Sequence, residues 1–105
     1  MQKYKFDKER YITKGINETL STEITLYLWS LIEDLKKEGI NLDYIQVFEI
    51  FSAKDMVKIV HSQEIPPYKK VHRIKLQENI KGNIKGKVFV IDDITHATML
   101  MDYEY

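Results

Sequence analysis

Cysteine is absent from the 105 residues. That single absence excludes disulfide staples, thiolate zinc sites and a cysteine nucleophile. Small secreted domains often need such staples, so the composition fits a reducing compartment. Net charge is also missing: Lys plus Arg is 16 and Asp plus Glu is 16, which leaves no global attraction to nucleic acid or membrane. No stretch approaches the roughly 18 apolar residues that a membrane helix needs. The opening run Met1 to Arg10 has neither an apolar core nor a small-residue cleavage site, so it does not read as a signal peptide. The expected location is the cytoplasm, with no membrane partner.

What remains is a globular composition, 44% hydrophobic and 30% charged. The length suits one domain over 1–105, with the polar residues 1–8 expected as a frayed lead-in. Arg10 to Ile16 reads as a short first strand ending near Gly15. The helix signal is the strongest. Ser21 is a good N-cap, Glu23 sits in the first turn, and Lys36 and Lys37 lie in the last. Gly39 can take the left-handed position that ends the helix. Between these signals Ile24, Leu28, Leu31 and Leu35 recur at helical spacing, flanked by Tyr27 and Ile32. The helix should span about 21–38.

Strand patterns fill the rest. Asp43 to Ser52 carries apolar residues on both parities, the mark of a central strand covered on both faces. Ala53-Lys54-Asp55 is short enough to turn a hairpin, with Met56 to Ile65 returning antiparallel until Pro66-Pro67 stops it. Tyr68 to Leu76 and Gly86 to Asp92 are further strands. Ala97 to Met101 suits an edge strand or, less well, a last helical turn. The Asn-Ile-Lys-Gly sequence occurs twice, at 79–82 and 83–86, which makes a turn-rich loop rather than a repeat fold. The expected fold class is α+β: one amphipathic helix on one face of a mostly antiparallel sheet of five or six strands, in the order β-α-β-β-β-β with an optional last strand.

The zero net charge hides uneven spacing. Residues 18–53 carry seven acids and two lysines, and 88–105 carry four acids and no base. Between them, 69–87 hold Lys69, Lys70, Arg73, Lys75, Lys81, Lys85 and Lys87 against Glu78 alone. This stretch suggests phosphate contacts with RNA or DNA, to which Tyr68 or His72 could add stacking. The competing reading is an edge strand whose lysines block edge-to-edge aggregation. Alternation in a strand puts Lys69, Arg73 and Lys75 on one face and Lys70 and His72 on the other, which splits the charge.

Catalytic motifs fail one by one. Gly82 to Val88 approximates a phosphate-binding loop but has three residues between its glycines instead of four. It also lacks the Ser or Thr after Lys87, and it enters a strand rather than a helix. No serine sits in a nucleophile elbow. His61, Glu64, Asp92, Asp93 and His96 are weak metal or acid–base candidates, which need the fold to bring 61 and 96 together. Asp92 to His96 reads more simply as a turn whose side chains satisfy local backbone donors. No motif calls for a cofactor. On the helix, Leu26, Trp29 and Glu33 fall on the face opposite the apolar stripe. Tryptophan anchors interfaces more than most residues do. Either the chain's own ends cover this face, or it binds a second copy as a homodimer, or it binds another protein.

Several segments together resemble a known family. They are Arg10 to Glu18, Leu28-Trp29-Ser30-Leu31-Ile32, Asp43 to Glu49, His61 to Pro66, and Val88 to Asp93 with His96. In order and spacing they resemble domain-of-unknown-function family 960, small uncharacterised proteins of Gram-positive bacteria. The resemblance covers roughly residues 9–103 and leaves 1–7 as an extension. It implies a single-domain cytoplasmic protein and no assigned activity, so no functional residue carries over. The expectation is a non-enzymatic interaction or regulatory module, acting through protein contacts or self-association, with nucleic-acid binding through 69–87 as the alternative.

Overall fold

The structure, a computed structural model, describes residues 3–76 and 84–105. Lys81 and most of the doubled Asn-Ile-Lys-Gly loop therefore lie outside the described residues. The elements run β1 (Glu9–Ile12), α1 (Lys14–Thr19), α2 (Thr22–Lys37), β2 (Ile45–Ala53), β3 (Met56–Gln63), β4 (Tyr68–Lys75), β5 (Lys85–Asp92), β6 (His96–Met101) and a terminal 3-10 turn (Asp102–Glu104). They form the expected α+β architecture: one main helix, one short helix, and a six-stranded sheet in the order β1-β6-β5-β2-β3-β4. All neighbours pair antiparallel except β1, which runs parallel to β6. Among the described residues no helix is long and apolar enough to cross a membrane.

Helix α2 forms for the reasons its sequence offers. The Ser21 side chain accepts from the Ile24 amide, satisfying a first-turn donor. At the far end Gly39 takes φ 76°, its amide donates to Lys36 O, and the Ile40 amide donates to Leu35 O. This paired closure satisfies carbonyls that the helix leaves free. Ile24, Leu28, Leu31, Ile32 and Leu35 are buried against Phe48, Ile50, Val57, Ile59, Val88, Val90 and Met99 of the sheet.

Four expectations need correction. The first strand stops at Ile12, because the Thr13 hydroxyl accepts from the Ile16 amide and starts α1, which contains Gly15. Residues 3–8 are not a loose lead-in: Phe6 is fully buried, and its amide donates to the buried Asp92 carboxylate (2.9 Å). The segment 96–101 is a strand but not an edge, since β1 adds outside it. Finally, β2 is central but covered on one face only. Gln46, Phe48, Ile50 and Ser52 are buried, whereas Ile45, Val47, Glu49 and Phe51 stay half-exposed.

Candidate functional site

The helix-back patch closes on itself. Trp29 is only 7% exposed. The Arg10 guanidinium lies 4.8 Å from its ring centroid. Arg10 is held there by the Phe6 carbonyl (2.9 Å) and by Glu33 (2.5 Å), which also meets Lys36 at 3.6 Å. The N-terminal segment thus covers Trp29 and engages Glu33, so neither is an open anchor. Leu26 remains 62% exposed, and a single exposed leucine is ordinary.

The histidine–carboxylate candidates do not converge. His61 sits on β3 facing the helices, fully buried, while His96 sits on β6 facing the other way. Between those strands lie β2 and β5, three spacings or roughly 14 Å. Glu64 is exposed beyond the end of β3. The Asp92 carboxylate is engaged by the Phe6 and Ile94 amides. Asp93 accepts from the Thr95 and His96 amides and from the Thr95 hydroxyl, bonds that hold its carboxyl below the usual range. The 92–96 segment is a turn satisfied by its own side chains. Among the described residues no group of three or more His, Cys, Asp or Glu converges as metal ligands.

His61 instead anchors a buried polar chain. Gln46 Nε2 donates to Asp43 O (3.1 Å) and to Gln63 Oε1 (2.6 Å). That orientation turns Gln46 Oε1 toward His61, whose Nε2 must therefore carry the proton across 2.7 Å. Gln63 Nε2 in turn donates to Asn41 O and Pro66 O. The imidazole stacks on Phe48 at 4.3 Å between centroids. Burial, with His72 nearby, pushes His61 down to about 3. These groups pin the α2–β2 connection to the β3–β4 turn.

The remaining feature is the open face of the sheet. Register arranges it in rows. Phe51 stands opposite Lys85 of β5 and Lys58 of β3, and Lys58 stands opposite Arg73 of β4. The next row is Lys87, Glu49, Val60 and Val71, followed by Leu100, Phe89, Val47, Ser62 and Lys69. A fourth row joins Tyr11, Thr98, Ile91 and Ile45. Lys75 opposes Met56 at the hairpin end. The surface is thus apolar around β2, β5 and β6, and basic around β3, β4 and the start of β5. Tyr105 leans on Phe89 with centroids 5.5 Å apart, while among the described residues α2 packs on the other side.

Of the basic stretch expected from sequence, Lys69, Arg73, Lys75, Lys85 and Lys87 share this face. Lys70, Tyr68 and His72 fall on the covered side, which removes the two rings expected to add stacking. Two participants were missed. Lys58 lies outside the basic run in sequence, and the two-parity pattern of Asp43 to Ser52 predicts a buried Phe51. Both were recoverable from the two-residue turn at Lys54-Asp55, which fixes Phe51 against Lys58. A hollow of about 290 Å³ opens beside them, lined by Phe51, Met56, Val57, Lys58 and Arg73 among others. Glu49 meets Lys87 at 3.9 Å and Asp55 meets Lys75 at 3.6 Å. Among the described residues Lys58, Lys69, Arg73 and Lys85 meet no carboxylate.

Comparison with known proteins supplies the lineage but no activity. No curated protein matches the chain. A solved structure described as the crystal structure of the protein of unknown function from Enterococcus faecalis is similar, with a TM-score of 0.74 and 24% identity. The match covers 100% of this chain and 97% of that one, and at this identity it shows the shared fold alone. The model of one family, described as Staphylococcal protein of unknown function, matches residues 9–104, and the chain belongs to that family, domain-of-unknown-function family 960.

Proposed function

We propose that this chain is a small non-enzymatic interaction module whose working surface is the uncovered face of its sheet. One observation carries the reading. Helices bury one side of a six-stranded sheet, while the other side presents Ile45, Val47, Phe51, Val60, Phe89, Ile91 and Leu100 half-exposed beside a row of cations. Partly exposed apolar side chains gathered on one face and rimmed by charge mark recognition surfaces. The reading moves the contact surface away from Leu26, Trp29 and Glu33, because Arg10 occupies that patch. Cytoplasmic action goes with the cysteine-free composition.

The test is a photo-crosslinking amino acid in place of Val60, compared with the same group in place of Leu26, each irradiated in living cells. Adducts from position 60 and none from position 26 are expected. An adduct to a second copy of the chain at position 60 marks self-association through this face. Adducts from position 26 alone, or from neither position, overturn the proposal.

A further inference from the structure

We infer that the basic half of this face binds single-stranded nucleic acid, with Phe51 as the stacking platform and Lys58, Arg73 and Lys85 as phosphate contacts. The inference rests on the reading of the open face as the working surface and names its ligand. In sequence, alternation divides the basic residues of β4 between two faces. In the sheet, register reunites one of those sets with cations from two other strands, so that Lys58, Lys69, Arg73, Lys75, Lys85 and Lys87 share one side. Even after the pairs with Glu49 and Asp55, four of these meet no carboxylate among the described residues.

Their spacing follows the lattice of the sheet. The row Lys85–Phe51–Lys58–Arg73 crosses four adjacent strands, roughly 14 Å. Lys87 and Lys75 extend it by two residues along their strands, roughly 7 Å away. That forms a band of positive charge with an aromatic ring inside it.

Two observations favour nucleic acid over an acidic peptide, and one strand over two. Phe51 is half-exposed beside the 290 Å³ hollow, and the Lys58 ammonium hovers over its ring at 5.7 Å. A flexible lysine gives way to a base, and a base has the flat face that an acidic side chain lacks. A ring set in the middle of a sheet reaches that face only when the base is unpaired, which excludes a duplex.

The experiment is an anisotropy titration of the full chain against labelled single-stranded oligo-thymidine and oligo-uridine over a range of salt. Three phosphate contacts predict a log–log salt slope of about −2. Phe51→Ala should weaken binding roughly ten-fold and leave the slope unchanged. Arg73→Ala, an exposed position that tolerates change, should make the slope shallower by about 0.7. Lys70→Ala, on the covered side, should leave both quantities unchanged. The inference is overturned if no binding occurs at low salt, if polyglutamate competes as well as the oligonucleotide, if a duplex binds as tightly, or if Lys70→Ala acts like Arg73→Ala. A protein adduct at position 60 without oligonucleotide binding removes this inference and leaves the interaction module standing. Absence of both removes both.

Discussion

His61 shows what a single buried titratable group does to the whole domain. Its Nε2 proton is committed to Gln46, and among the described residues its Nδ1 has no partner. A second proton would put a charge between Phe48 and Tyr68, which the interior resists, so the group is held down to about 3. In the unfolded chain the same imidazole titrates near 6.5. Above that pH both states are neutral and the residue adds no pH dependence. Below it the unfolded chain takes up a proton that the native state refuses, so stability declines as pH falls from 6.5 toward 3. The slope reaches about 1.4 kcal/mol per pH unit, or about 2 kcal/mol in total by pH 5. Urea unfolding of wild type and His61→Leu between pH 7 and 4 measures this, with the flatter profile expected in the variant. Parallel profiles would show that His61 protonates in the native state.

At the scale of elements, α2 was the most legible part of the sequence, because its signals are local. Ser21, the spaced leucines and isoleucines, and Gly39 each act within a turn or two of where they stand. Ser21→Ala removes the acceptor of the Ile24 amide and should cost about 1 kcal/mol, read as a lower denaturation midpoint with an unchanged denaturant slope. The β2–β3 hairpin was legible for the same reason. What could not be read depends on contacts distant in sequence. Strand β1 pairs with β6 across more than eighty residues, so the short-connection argument for antiparallel neighbours had no purchase on it. The short helix α1 is fixed partly by Glu104, whose carboxylate accepts from the Thr13 hydroxyl and the Gly15 amide. The candidate site divides in the same way. Five of its cations were named from sequence, but their gathering on one face is a property of register across four strands. For Trp29 the cover by the chain's own N-terminal segment is the one found among those weighed, and the helix wheel alone contains no information about Arg10.

The whole molecule is a sheet with one dry side and one open side, and substitution should expose the difference within a single strand. Ile59 is fully buried beneath α2, while its neighbour Val60 looks outward. Ile59→Ala should cost about 2–5 kcal/mol, whereas Val60→Ala should fall under about 1 kcal/mol, both read by chemical denaturation. Equal costs would mean that the open face is covered in solution. The same two-sidedness gives the sole tryptophan an optical meaning. Trp29 lies under a guanidinium contributed by the N-terminal segment, on the side of the molecule away from the proposed ligand. Its emission therefore reports whether that segment is docked, and it needs no added label. Quenching or a red shift would signal release of residues 6–10 from the helix, while occupancy of the sheet surface would pass without a spectral trace.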